Sequence, residues 1–163
     1  LHIDSKETGI TFEENSHIKA LDISKKTDVP VIADDSGLCI DAFHGFPGAF
    51  SARFLEGQSY IEKQKEILNM LEDIDVRDAH FTCAVTYINK AKKIDRTFVS
   101  NVPGKIIREF DEEGQKGGFG YDPIFYSIEL KKTFGRASEE EKNAVSHRGR
   151  AIAEFVKFLK GGE

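Results

Sequence analysis

Two adjacent carboxylates stand in the stretch 30–41, which reads PVIADDSGLCID. Asp34 and Asp35 follow the apolar run Val31, Ile32 and Ala33, and Ser36 and Gly37 lead into a second run at Leu38, Cys39 and Ile40. Two acids at a strand end can offer hard oxygen ligands to a divalent cation. One of them can instead serve as a general base toward water. A polar turn between two strands accounts for the same residues without any chemistry. Successive side chains on a strand point to opposite faces, so both acids reach one site only where the backbone breaks. Gly37 can supply such a break. The expectation is a strand that ends at the acids, turns and resumes.

Two further groups of residues are chemically suggestive. The stretch 111–122, DEEGQKGGFGYD, carries Gly114, Gly117, Gly118 and Gly120. It has neither P-loop nor Rossmann spacing, but Phe119 and Tyr121 flank Gly120 and suit stacking on a flat ring. The alternative is a glycine-rich turn whose aromatics fold into the core. Lys142, His147 and Arg148 place three donors within about two helical turns, a set able to grip an anion or a purine carbonyl. A structural histidine and a solvated arginine explain the same positions. Arg53 could hold a carboxylate or phosphate. Asn15 and Lys19, four apart on one helical face, could reach a phosphate or stay solvated.

The elements that must position these groups alternate between helix and strand. Thr11 with Glu14 has capping-box spacing, and the apolar positions that follow predict a helix to about residue 26, with Glu14 occupied in the cap. Four Phe among Gly45, Pro47 and Gly48 predict a structured loop over 43–54. Ser59 with Glu62 opens a second amphipathic helix. Residues 80–89 alternate as a half-buried strand, and 94–102 return as its hairpin partner. Pro103-Gly104 punctuates before a short strand at 106–110, and another strand starts at 123–126. Ser138 with Glu141 begins a third capped segment, and helical period continues from Lys142 through Val145, Ile152, Phe155, Val156 and Leu159.

At 163 residues, 39% hydrophobic and 31% charged, the chain suits a single domain over 1–163 or two closely packed lobes. No apolar run approaches the roughly 20 residues of a membrane span. A net charge of -5 gives no support for duplex nucleic acid as a partner. Cys39 and Cys83 lack metal-ligand spacing and read as buried thiols, which favours a reducing cytoplasm. No signal peptide is recognisable.

Taken together, ETGITFEEN at 7–15, ADDSGL at 33–38, GFPGAFSAR at 45–53, GGFGYDPIF at 117–125 and EEKNAVSHRGRA at 140–151 resemble the inosine triphosphate pyrophosphatase family. The blocks keep the family order and cover nearly the whole chain. The resemblance implies an elongated α/β fold with a long mixed central sheet, flanking helices, two lobes around a central cleft and a homodimer. It implies Mg²⁺-dependent cleavage of non-standard purine nucleoside triphosphates such as ITP, dITP and XTP to the monophosphate and pyrophosphate. By the same resemblance Asp35 is the catalytic acid and a metal ligand, and Glu7 is a second metal-binding carboxylate. Ser36 is a substrate contact. Phe119, Gly120, Tyr121 and Asp122 form the base-binding loop, and Lys142, His147 and Arg148 grip the substrate.

The family also begins with a strand and a Ser/Thr-Gly-Asn-x-x-Lys loop that cradles the triphosphate, whereas this sequence opens at Leu1-His2-Ile3. The expectation is that a strand–loop–helix unit of roughly 30 residues lies outside the sequence given. The chain is then either a piece of a longer enzyme or a dimeric nucleotide-binding remnant with impaired catalysis. A phosphatase using Asp34 as nucleophile is a second rival, although no Asp-x-Asp pattern follows the strand. Donors such as Lys142, Arg148 and a protonated His147 can bond a 6-keto oxygen but cannot accept from a 6-amino group, which would discriminate against adenine.

Overall fold

The computed structural model describes residues 9–161. Glu7 lies outside the described residues. Thr11 caps α1 (Phe12–Ser24) by accepting from the Glu14 amide at 3.1 Å. The Glu14 carboxylate reaches one residue further back than a capping box requires, to the Ile10 amide at 3.1 Å. Strands β1 (Val31–Ile40), β2 (Asp78–Asn89), β3 (Ile94–Ile106), β4 (Phe125–Ser127) and β5 (Lys132–Thr133) follow in both chain order and sheet order. All four pairings are antiparallel, so the described strands form an antiparallel sheet where a mixed one was expected. Helix α2 (Tyr60–Met70) has the full Ser59–Glu62 capping box. Helices α3 (Glu139–Val145) and α4 (His147–Lys160) close the chain.

Helices cover both faces of the β hairpin. On one face Ala20 packs with Val31 and Ile88, and Phe12 with Cys39 and Ala84. A hydroxyl ladder ties α1 to the sheet there, Ser16 to Thr86 and Thr86 to Thr97, each at 2.8 Å. On the other face Ala151 of α4 packs on Cys83 and Val85, and Phe155 meets Tyr87 at 5.0 Å. Strand β2 is therefore buried on both faces and not the half-buried strand its alternation predicts, because its small and hydroxylated residues Thr82, Ala84 and Thr86 lie under α1. The main core, built on Leu38, Ile40, Ile67, Phe81, Phe125 and Phe134, lies beyond α4 toward β4 and α2.

Two expected breaks are absent, and one appears where none was expected. Strand β1 does not turn at Gly37, which pairs with Thr82 inside a ten-residue strand. Glycine is needed there for space: a Cβ would stand 2.5 Å from Ser51 Oγ and 2.6 Å from the Gly48 carbonyl. Pro103-Gly104 does not end β3, and no separate strand covers 106–110. Gly104 pairs with Ser127 beneath the Phe125 ring, in a space that a Cβ would fill. The helical period after Lys142 is interrupted at Ser146, whose extended backbone ends α3 and whose Oγ caps α4 by accepting from Gly149 N at 2.9 Å.

Candidate active site

The unbroken strand β1 sends its two acids apart. Asp34 sits opposite Val85 and Asp35 opposite Ala84, and directly opposed residues share a face. Val85 lies under α4 and Ala84 under α1. Asp35 therefore faces α1, where it is 8% exposed and accepts from Lys19 Nζ at 3.4 Å. Asp34 and Ser36 face α4. Arg148 Nε donates to Asp34 Oδ2 at 2.9 Å, and its Nη2 lies 3.5 Å from Ser36 Oγ. Asn15 does not join Lys19. It is fully buried and accepts from the Gly9 amide at 2.9 Å.

Cys83 lies next to Asp34, but burial and that carboxylate push its thiol up to about 12, so it stays protonated and inert. The loop after β1 is organised by Ser51. Its hydroxyl accepts from Leu38 N at 2.9 Å and donates to Gly48 O at 2.6 Å. Its carbonyl accepts from Tyr121 OH at 2.6 Å. Ser51 thus joins the acid-bearing strand to the aromatic loop. Arg53 remains exposed, its guanidinium 5.2 Å from the Phe50 ring centre.

The two aromatics of the glycine-rich loop have different fates. Phe119 is 77% exposed and Tyr121 is 5% exposed. Tyr60, the first residue of α2, meets both, at 5.9 Å and 5.3 Å. Tyr121 is a core anchor whose edge reaches the site, and Phe119 is the ring presented to solvent. Gly120 between them has φ +59°, a left-handed conformation that glycine adopts without penalty. Asp122 Oδ2 accepts from Phe119 N at 3.3 Å and from Lys142 Nζ at 2.8 Å.

That ion pair is largely shielded from water. Burial pushes the Asp122 carboxyl upward, against the pull of Lys142. Burial also opposes the Lys142 charge, yet Asp122 and Glu139 together outweigh it and raise the Lys142 pKa. The two directions differ on how far the carboxylate is stabilised, and the 2.8 Å contact favours an ionised pair.

One cavity of about 400 Å³ gathers these groups. Ser36, Phe119, Gly120, Tyr121, Asp122, Lys142, His147 and Arg148 all line it. A cavity of this size suits a small planar ligand. His147 stacks on Phe81 at 4.9 Å and 14°. Burial, together with the Arg148 charge, lowers its pKa to about 4. The imidazole is therefore neutral near pH 7, not the protonated donor considered from sequence. Its buried Nδ1 has no partner among the described residues. Asp35 is not in this lining; it stands across β1.

Among the described residues no group of three or more His, Cys, Asp and Glu side chains gathers at one point. A hard dication such as Mg²⁺ needs only one or two protein carboxylates beside water and phosphate oxygens, and Asp35 fits that donor chemistry. Sequence reasoning passed over Ser51, Tyr60, Gln64, Asn143 and Ser146. The signal available for Gln64 was a polar residue on the same helical stripe as Ile67 and Leu71. Ser51 gave none, because its role depends on a crossing of strand and loop.

A family model described as the Ham1 family matches residues 1–158. A dITP/XTP pyrophosphatase of Leptospira interrogans is 42% identical over 158 residues, covering 95% of this chain and 78% of that protein. A protein of the same name from Salmonella paratyphi A is 41% identical over 170 residues, with coverages of 99% and 83%. The Ham1 protein of Staphylococcus aureus superposes with a TM-score of 0.91 at 39% identity, covering 99% of this chain and 82% of that one. The nucleoside-triphosphatase, or dITP/XTP pyrophosphatase, of Mycobacterium abscessus gives 0.78 at 35% identity, with coverages of 95% and 81%. Nothing in these likenesses supports an impaired remnant. A match over nearly the whole chain, in sequence and in fold alike, makes this chain a member of the Ham1 family.

Proposed function

We propose that the chain is a nucleoside triphosphate pyrophosphatase acting on non-standard purine nucleotides of the dITP and XTP kind, as its relatives' names describe them. The observation that carries this reading is the shared cavity of Phe119, Asp122, Lys142, His147 and Arg148. Phe119 offers a flat face for a purine. Arg148 offers a guanidinium that donates to a 6-keto oxygen and cannot accept from a 6-amino group. The purine lies on the α4 face of β1, and the phosphates cross the strand toward Asp35 on the α1 face.

Asp35 orients a water and takes its proton as the water oxygen attacks the α-phosphorus. The bond from that phosphorus to the bridging oxygen breaks, and its electron pair leaves with pyrophosphate. Lys19, 3.4 Å from Asp35, adds positive charge beside the phosphates. Asp35, with Glu7, would hold a divalent cation, here proposed as Mg²⁺, which supplies charge neutralisation of the triphosphate. A homodimer and a cytoplasmic location belong to the same proposal. The buried free thiols Cys39 and Cys83 fit a reducing compartment. No helix among the described residues is long and apolar enough to cross a membrane.

The test is product analysis with dITP and with ATP, with and without added Mg²⁺. Equimolar dIMP and pyrophosphate, with little turnover of ATP, is the expected result. Release of orthophosphate alone would favour a phosphatase using Asp34. Binding without turnover would favour a non-catalytic nucleotide binder.

A further inference from the structure

Helix α2 reaches the aromatic loop through an amide that takes no part in the chemistry. Its capped first turn sets Tyr60 and Gln64 four residues apart, and hence on one face. Gln64 is 1% exposed. Its Nε2 donates to the Gly120 carbonyl at 2.7 Å, which fixes the peptide that follows Phe119 by one residue. Gln115 pairs with the same amide reciprocally. Gln115 Nε2 donates to Gln64 Oε1 at 2.8 Å, and Gln64 Nε2 lies 3.3 Å from Gln115 Oε1. Gln115 is in turn tied to the Asp111 carbonyl at 3.1 Å. The Asp111 carboxylate is gripped by Arg136 through two bonds of 2.7 Å.

Packing alone does not call for a glutamine here. Its neighbours along the same stripe of α2 are Ile67 and Leu71, both fully buried, and an unbranched apolar residue of equal size would fill the space. A buried amide is costly unless its polar atoms are matched, and these are matched to the loop and to Gln115. What the amide adds is a fixed position for a glycine that would otherwise be free to turn.

We infer that Gln64 is a positioning residue of the base pocket, setting the Phe119 ring through the Gly120 carbonyl, and that Gln115 holds Gln64 in that pose; this rests on reading the cavity as the purine site. The effect should be confined to the base half of the substrate. In Gln64→Met, KM for dITP should rise about tenfold, the loss expected when a half-buried carbonyl is left without its partner. Turnover at saturation should stay within about twofold, and inhibition by inorganic pyrophosphate, which lacks a base, should be unchanged. Gln115→Met touches nothing in the cavity and should move KM the same way by a smaller factor; it also carries the test if Gln64→Met fails to fold.

Phe119→Ala is the control. If it raises KM while neither glutamine variant does, the positioning role is wrong and the purine site stands. If Phe119→Ala leaves KM unchanged, both readings fall together. A KM rise matched by an equal weakening of pyrophosphate inhibition would mark a general structural loss and overturn the inference.

Discussion

Phe119→Ala removes a ring that the fold scarcely uses. Full burial of a large apolar side chain stabilises a protein by up to about 3 kcal/mol. Phe119 is 77% exposed, so its share is well under about 1 kcal/mol, mostly from the tilted contact with Tyr60 at 5.9 Å. For a chain of this size the melting temperature should then fall by less than about 4 °C. A stacked base is worth roughly 1–3 kcal/mol, which is about 5- to 150-fold in affinity. The base is equally stacked before and during cleavage, so the loss should appear in KM with kcat nearly constant. Steady-state kinetics on dITP, read by pyrophosphate release, and a thermal melt of the same protein settle the matter. An unchanged KM with a melting temperature lowered by more than about 4 °C would show that Phe119 is a fold anchor, and the placement of the purine would have to be abandoned.

Asp35→Asn should lower turnover by at least about a hundredfold with the fold intact; hydrolysis near the parent rate at saturating Mg²⁺ excludes Asp35 as the base. Arg148→Ala should cost little stability, since Arg148 and Asp34 are 59% and 40% exposed and such pairs contribute about 0–1 kcal/mol. Its kcat/KM on dITP should fall by the roughly 1.5–3 kcal/mol of a charge-assisted hydrogen bond, and on dATP by less; an equal loss on both assigns Arg148 to the phosphates. His147 binds its proton less readily when folded, with a pKa of about 4 against 6.5. Its contribution is therefore complete above pH 6.5 and is lost as pH falls toward 4, at most about 3 kcal/mol. The urea midpoint of the parent chain should drop over that range more steeply than that of His147→Gln, and parallel profiles would contradict the buried neutral imidazole.

The helices were legible because their caps are local. Thr11, Ser59 and Ser138 each accept from the amide three residues on, as a serine or threonine at that spacing predicts. The glycines were misread for the opposite reason. Gly37 and Gly104 look like punctuation, but each is set by an atom from a distant segment, Ser51 Oγ in one case and the Phe125 ring in the other. Sequence cannot distinguish a glycine that turns from one that makes room. The same limit governs the site. That Lys142, His147 and Arg148 would come near each other was readable from their spacing. That Lys142 is committed to Asp122, and Arg148 to Asp34, depends on long-range contacts. Tyr121 and Phe119 differ by two residues and have equal stacking capacity, yet the carbonyl of Ser51 draws Tyr121 inward.

The division of Asp34 from Asp35 constrains how a substrate lies. In an antiparallel edge strand, alternate residues turn both N–H and C=O away from the neighbouring strand. Among the described strands β1 is such an edge, and on it these are the even residues. Ile40 N donates to Phe46 O at 3.2 Å, Leu38 N donates to Ser51 Oγ at 2.9 Å, and Asp34 O accepts from Lys19 Nζ at 3.0 Å. The loop carrying Ser51 therefore covers this edge at Leu38 and Ile40, and a lysine ammonium stands at Asp34. Ser36 lies between the two, and its side chain opens into the α4-side cavity. A nucleotide whose base occupies that cavity reaches Asp35 by passing over the edge at Asp34 to Ser36. That passage runs beside the Lys19 ammonium, which stands 3.0 Å from the Asp34 carbonyl, and a cation there suits a polyphosphate. In the proposed reading, the straight strand puts recognition and cleavage on opposite faces of β1. Had β1 broken at Gly37 to bring both acids together, the carboxylates would have faced each other across a few ångströms. Like charges so placed repel, whereas on the straight strand each acid has a cation of its own, Arg148 at Asp34 and Lys19 at Asp35.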